Sequence, residues 1–275
     1  MSEIPFRGGE LELLADDERP GGWLLLLDRI RQSYVDLDDP TYLDFEYVQA
    51  FAGVVDAMRD GALAVTHVGG GAGTLARYVA VTRPDSPQII LEPDEALTAA
   101  VRARLPFPKV ARIRIRPLDG RTGTAGLKDA SADLLVLDAF HGGRVPTELT
   151  TIEYFAEVAR VLRPDGLFLA NVADGPPLTY VRRFAAALRT VLPDVLVRAD
   201  PAVLKGRRFG NVILAAGRGS LPVDEISRHA ARAMFPQQVL AGTALRSFIG
   251  TAKPLTDADP LRSPAPPDQI WRVAD

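Results

Sequence analysis

The feature that most constrains this chain lies at residues 65–94, which read VTHVGGGAGTLARYVAVTRPDSPQIILEPD. An apolar run at 62–68 ends in Gly69, Gly70 and Gly71, followed by Ala72 and Gly73. A helical stretch comes next, and a second apolar run at 88–91 then delivers Glu92. Strand, glycine turn, helix, strand, acid is a unit with a chemical logic. Glycines let the backbone approach a nucleoside closely, and the N-terminus of the following helix faces the ligand. An acid at the tip of the next strand can accept both hydroxyls of a ribose. A bare turn and a helix-capping acid are the competing reading. The occurrence of both features in one unit favours the nucleoside site.

Composition narrows the rest. A chain of 275 residues suffices for one large α/β domain with a small appendage. The net charge of -3 gives no electrostatic basis for a nucleic-acid partner. The absence of cysteine excludes disulfides and thiolate chemistry. The three histidines, His67, His141 and His229, lie far apart in sequence, so no metal site is expected. The start MSEIPFRGGE has no apolar signal core, and no apolar run is long enough to cross a bilayer. A soluble, cytoplasmic protein with no membrane partner is the expectation.

Three regions are expected: an N-terminal β appendage (1–40), a nucleoside-binding α/β domain (41–235) and an extended proline-rich tail (236–275). Two strand-like runs within 8–37 are separated by the turn signals Asp16-Asp17 and Pro20-Gly21-Gly22. The apolar run at 23–27 is equally compatible with a buried helix. From Thr41 the pattern turns helical, with Tyr42, Phe45, Val48, Phe51 and Val55 on one stripe and Asp39-Pro40 as a start. Strands are then expected at 63–68, 87–91, 111–116, 133–137, 166–171, 194–198 and 211–216. Helices are expected at 74–82, 94–104, 150–162, 177–191 and 223–235. This alternation predicts a mainly parallel, Rossmann-like sheet covered on both faces. The stretch 194–216 holds two strands joined by the basic loop 205–208, with no room for a helix, so the sheet should end in an antiparallel hairpin. Seven strands with an antiparallel last member is the pattern of the methyltransferase fold.

Ligands of open parallel sheets bind beyond the carboxyl ends of the strands. Reading off those ends gives the glycines at 69–73, then Glu92 with Asp94, Asp119-Gly120, Asp138 in LLVLDAFHGG, and Asn171 with Asp174. Carboxylates at four consecutive strand ends should converge on one crevice. Asp138 follows the most apolar strand, where a carboxylate is costliest to desolvate, which favours a functional role. His67 reads as a satisfied core histidine, and His141 faces the crevice. At helical spacing, Tyr42, Tyr47 and Phe51 read as core. Lys205, Arg207 and Arg208 read as a solvated loop. Residues 71–76 also satisfy G-x-G-x-x-A, with Glu92 about 20 residues on, so a nicotinamide-dependent oxidoreductase stays open. Asp119, Asp138 and the terminal hairpin weigh against it.

The order of motifs resembles the polyamine aminopropyltransferases, the spermidine synthase family, over roughly residues 23–217. LLLLDRIRQSYVDLDDPTYLDFEY is similar to the family's L-x-L-D-G-x-x-Q … D-E-x-x-Y-H-E opening segment. HVGGGAGTLARYV is similar to its G-G-G-D-G segment. IILEPD, PLDGRTG, LLVLDAF, PTELTTIEYFAEVARVLRPDG and LRPDGLFLANV follow in the family's order, as does a late LTDADP. The resemblance implies that Gln32, Gly69, Gly70, Gly71, Gly73, Glu92, Asp119 and Gly120 hold the nucleoside of decarboxylated S-adenosylmethionine. It implies Asp138 as the acid that takes a proton from the attacking amine, Tyr42 and His141 beside that acceptor, and a homodimer formed through the appendage. Two positions depart from the family. Ala72 stands where the glycine segment carries an acid, and His141 stands where the loop D-x-x-D carries its second acid. Those losses admit S-adenosylmethionine as donor, a methyltransferase, or a nucleoside-binding homologue without catalysis.

Overall fold

The computed structural model describes residues 4–6 and 9–267. The chain opens with an antiparallel meander, β1 (Ile4–Phe6), β2 (Gly9–Ala15), β3 (Gly22–Leu27) and β4 (Ile30–Asp36). Next come α1 (Glu46–Ala57), β5 (Val65–Val68), α2 (Thr74–Thr82), β6 (Pro87–Leu91), α3 (Glu95–Arg104), β7 (Arg112–Arg116) and α4 (Gly120–Ala125). β8 (Ala132–Leu137), a 3-10 turn at Thr147–Leu149, α5 (Ile152–Val161), β9 (Leu162–Asp174) and α6 (Thr179–Val191) follow. The chain finishes with β10 (Asp194–Ala199), α7 (Pro201–Leu204), β11 (Gly210–Gly217), α8 (Val223–Arg232), β12 (Gln238–Leu240) and α9 (Gly242–Ile249).

The large sheet runs β12-β10-β11-β9-β8-β5-β6-β7. Its centre is parallel: β5 pairs with β6 and β8, β6 with β7, and β8 with β9. Every residue of β5 and β8 is buried, as a strand covered on both faces requires. β11 enters antiparallel between β9 and β10. This is the expected methyltransferase fold with its terminal hairpin. The sheet has eight strands where seven are expected. β12 pairs antiparallel with β10 and covers an otherwise bare edge. Strand order reverses between β5 and β8, so a crevice opens beyond their carboxyl ends.

Two cores flank the sheet. On one face Phe155 is fully buried, with Phe184 at 5.0 Å and Phe168 at 5.7 Å between ring centres. On the other, α1 buries Val48, Phe51, Val54 and Val55 against Leu134, Val136 and Leu169. A third, smaller core joins the meander to the glycine turn: Leu11, Leu13, Leu25 and Val35 pack with Ala72, Leu97 and Val101. Residues 23–27 are therefore strand, alternating leucines into that core.

The structure departs from the sequence pattern at several boundaries. α1 starts at Glu46, because Asp39 accepts from both the backbone N–H and the hydroxyl of Thr41 and holds a turn in place of a helical first turn. α4 is a further short helix that no apolar periodicity announces; Asp119 caps it through the Thr122 N–H. α7 occupies the stretch expected to lack a helix, capped by Asp200 with proline in its first turn. Residues 163–165, which lie between the helix expected at 150–162 and the strand expected at 166–171, belong to β9. The helix expected to 235 ends at Arg232. The tail expected to be extended from 236 begins with β12 and α9. α9 buries Leu245 and Ile249, one helical turn apart.

Candidate functional site

The crevice holds a cavity of about 640 Å³. Gly69, Gly70, Gly71, Gly73, Glu92, Asp94, Asp119, Gly120, Asp138 and His141 all line it, with Gln32 reaching in from β4. Glu92, Asp119 and Asp138 thus converge as expected. Asp174 does not: it is buried and accepts from the Gly175 and Val181 N–H groups, fixing the start of α6. Tyr42 lines neither this cavity nor its neighbour. Its ring lies 3.7 Å from the Arg19 guanidinium and edge-on to Tyr34, so the expected place beside an acceptor is corrected to a structural one.

The glycine turn is shaped by close approach. Gly69 adopts φ +98°, and a methyl group there would stand 2.3 Å from the Asp138 carbonyl oxygen. Gly69 thereby lets the ends of β5 and β8 close on each other. The Gly70 N–H donates to Glu92 Oε2 and the Asp94 N–H to Glu92 Oε1, at 2.8 and 2.9 Å. Each carboxylate oxygen keeps a further lone pair for a hydroxyl. Burial raises the Glu92 pKa, opposed by those two backbone donors. Behind the turn, Ser33 Oγ accepts from the Ala72 N–H, and the buried Arg77 donates to the carbonyls of Ala72, Leu105 and Pro106. Neither Ser33 nor Arg77 stands out in the sequence, since serine and arginine carry no spacing signal. Ala72 is fully buried in the third core and lines neither this cavity nor its neighbour.

Asp138 is the most perturbed carboxylate of the crevice. Burial raises its pKa to about 6, although the Asn171 amide and the Tyr47 hydroxyl donate to it. Tyr47, which helical spacing assigns to the core, does pack against the core under α1, and it also lines the cavity. Burial first, and the Asp138 carboxylate second, hold the Tyr47 hydroxyl well above its ordinary pKa. His67 is buried, with Nε2 2.8 Å from Gln88 Oε1, and its pKa falls to about 4 through burial. It is a neutral structural histidine. His141 is exposed on a tight turn closed by reciprocal backbone bonds with Arg144, with Gly142 and Gly143 both at positive φ.

A second cavity, of about 480 Å³, adjoins the first and shares Ile30, Gln32, Tyr47, Phe140 and Gly143 with it. Asn171 lines the second cavity while holding Asp138, which lines the first. The larger cavity is lined by the carboxylates Asp28, Glu92, Asp94, Asp119, Asp138 and Glu148, and by no lysine or arginine among the described residues. Such a wall suits a cationic ligand. Among the described residues no cluster of histidines and acids has metal-binding geometry, and no helix is long and apolar enough to cross a membrane.

No family model matches the chain. A polyamine aminopropyltransferase of Chromobacterium violaceum is 29% identical over 141 residues, 51% of this chain and 53% of that protein. The match therefore spans about half the length of that curated relative. The crystal structure of a probable spermidine synthase from Corynebacterium glutamicum is 32% identical, covering 93% of this chain and 96% of that chain, with a TM-score of 0.87. Human methyltransferase-like protein 13, solved in complex with SAH, shares the fold at 21% identity and a TM-score of 0.55, covering 78% of this chain and 96% of that chain.

Proposed function

Because the chain belongs to the spermidine synthase family, we propose that it is a transferase that moves an aminopropyl group from decarboxylated S-adenosylmethionine to an amine, with Asp138 as base. The observation that carries this reading is Asp138 itself. It lines the acidic cavity, and the two side chains that bind it line the neighbouring one. The first cavity suits a nucleoside whose sulfur is positive. Glu92 takes the ribose hydroxyls, Gly69, Gly70, Gly71 and Gly73 let the backbone close on the nucleoside, and Asp119, Gly120 and Gln32 flank it.

In the transfer, the lone pair of a neutral amine attacks the donor carbon bonded to sulfur. A C–N bond forms as the C–S bond breaks, and the electron pair returns to sulfur, leaving neutral methylthioadenosine. The nitrogen becomes cationic and gives its proton to the Asp138 carboxylate. A pKa of about 6 keeps Asp138 ionised at neutral pH yet basic enough to receive that proton. Two adjoining cavities hold amine and carbon in line, which supplies much of the remaining acceleration.

One observation favours a second reading. The glycine turn offers no carboxylate to grip the donor's free amine, and S-adenosylmethionine would then fit with its methyl group as cargo. The test mixes the protein with each donor and a panel of amines, and follows methylthioadenosine against S-adenosylhomocysteine by mass spectrometry. Methylthioadenosine formation that disappears in Asp138→Asn supports aminopropyl transfer. S-adenosylhomocysteine alone selects the methyl reading, and neither product from any donor–amine pair rejects both.

A further inference from the structure

The second cavity carries a charge that none of the described residues balances. Strand register sets its floor: Asn171 on β9 is opposite Ile213 on β11, and Ile213 is opposite Arg198 on β10. Strands lie ~4.8 Å apart, so Arg198 is roughly 10 Å along the sheet from the amide that holds Asp138. Arg198 is 1% exposed. Its Nε donates to Gln237 Oε1, and a terminal nitrogen lies 3.2 Å from His229 Nδ1. Both partners are uncharged at neutral pH, since burial and then Arg198 itself lower the His229 pKa. No carboxylate pairs with Arg198 among the described residues. The cavity's other arginines are matched: Arg31 meets Asp44 at 3.0 Å and Arg208 meets Asp200 at 2.8 Å. Burial lowers the Arg198 pKa to about 10, which leaves it cationic at neutral pH.

An unmatched buried cation is costly, and an apolar side chain would fill the same floor more stably. Two more groups are left open there. Asn171 Oδ1 and Asn211 Oδ1 are buried without hydrogen-bond partners, and both residues line this cavity. Asn171 offers an acceptor beside Asp138, where an amine N–H would arrive. Asn211 offers a carboxamide on the same side of the sheet as Arg198, two residues from Ile213.

We infer that the second cavity takes an acceptor with an amine at one end and a carboxylate at the other, the amine beside Asp138 and the carboxylate on Arg198. This rests on Asp138 being the base of the proposed transfer. A guanidinium binds a carboxylate through two parallel hydrogen bonds, and a desolvated pair of that kind restores the missing balance. A diamine of the same length would instead bring a second cation to Arg198. It would find Asp44 and Asp200 already occupied by arginines and Glu46 out on the surface.

The test uses matched probes on the full chain. 4-Aminobutyrate is compared with 1,4-diaminobutane, and 6-aminohexanoate with 1,6-diaminohexane, by calorimetry with and without methylthioadenosine. At least one amino acid should bind about tenfold or more tightly than its diamine, a gap of about 1.4 kcal/mol. Arg198→Gln should erase that preference, and Arg198→Lys should keep part of it. Diamines binding more tightly to the unmodified protein, or neither class binding at all, overturns the inference, even if Arg198→Gln does not fold. Failure of methylthioadenosine alone, with the amino acids still bound, overturns the nucleoside reading and leaves this one standing.

Discussion

The Asn171 side-chain amide donates to Asp138 Oδ1 at 3.0 Å, while the carbonyl oxygen of the same side chain is buried without a partner. The amide therefore stabilises the ionised form of Asp138 and leaves its own acceptor open toward the second cavity. Asn171→Leu removes the donor and keeps the volume. Burial then acts on Asp138 with less opposition, and its pKa rises further above about 6. The acid limb of the pH–rate profile should move upward, with a loss of about threefold to tenfold at pH 6.5 that shrinks by pH 8.5. A uniform loss at every pH would show that Asn171 does not act through Asp138. Tyr47→Phe should shift the profile in the same direction, because its hydroxyl is the other donor and its ring still packs edge-on against Phe51 at 5.8 Å.

Asp138 should cost stability at neutral pH. Its folded pKa of about 6 lies above the ordinary 3.8, so the folded chain holds the proton more tightly than the unfolded chain. Stability then falls as pH rises from about 4 to about 6, and the cost is in full force at pH 7 and above. A rise of that size corresponds to at most about 3 kcal/mol, less where water in the cavity solvates the carboxylate. Asp138→Asn should melt higher than the parent at pH 7.5, converge with it near pH 4, and lose turnover. A variant that melts lower at pH 7.5 would show that the carboxylate is structural.

Gly69→Ala tests the closure of the crevice. A methyl group at φ +98° would meet the Asp138 carbonyl at 2.3 Å, and backbone at that position cannot rotate aside. We expect a loss of about 2–4 kcal/mol from strain and overpacking, read by denaturant unfolding, together with loss of nucleoside binding. Gly142→Ala is the control: φ is +56° but nothing lies within 4 Å of the added methyl, so its cost should be about 1 kcal/mol. Equal costs at the two sites would mean that the contact with β8 does not matter.

Much of this arrangement is legible in the sequence, and the parts that are not have physical reasons. The apolar strands ending in glycine, Glu92 and Asp138 announce themselves because buried parallel strands are continuous apolar runs and their ends are punctuated by polar residues. Seven of the eight strands of the sheet coincide with the expected spans, although β7, RIRIR, is a partly exposed edge strand and no apolar run. β12 is three residues long and exists by pairing with β10, a tertiary effect that no local pattern encodes. Tyr47 shares the helical stripe of Phe51 and packs against the core as periodicity indicates, but periodicity gives no sign that it also lines the cavity. Tyr42 follows a motif position and ends under Arg19. Arg198 is hidden for the opposite reason, as a charge within the apolar stretch of β10 whose significance depends on what packs around it.

Glu92→Gln addresses the nucleoside. The Glu92 oxygens each accept one backbone N–H, from Gly70 and from Asp94. An amide keeps one acceptor and sets its NH2 against the other donor, so both the proposed ribose contact and the glycine turn should lose definition. Methylthioadenosine affinity should fall about tenfold to a hundredfold, while binding of an amino acid acceptor in the second cavity changes little. Unchanged nucleoside affinity would remove Glu92 from the site.

The C-terminal segment braces the loop that carries His141 without lining the larger cavity. Arg121 forks onto both oxygens of Asp257, Arg183 meets Asp259 at 2.7 Å, and the fully buried Leu255 accepts from the Ile152 N–H. Further on, Ser263 Oγ accepts from the Val145 N–H at 2.9 Å, and the Arg144 guanidinium donates to the Ser263 carbonyl. The exposed ion pairs contribute little each. The burial of Leu255 stabilises the segment more, by about 2–3 kcal/mol. Ending the chain after Pro254 should therefore lower the melting temperature and open residues 139–146 to proteolysis. Ser263→Ala isolates the brace. It should leave stability within about 1 kcal/mol of the parent yet speed hydrogen exchange at Val145, with turnover falling more than nucleoside affinity. Unchanged exchange at Val145 in both variants would show that the loop holds its shape without the segment.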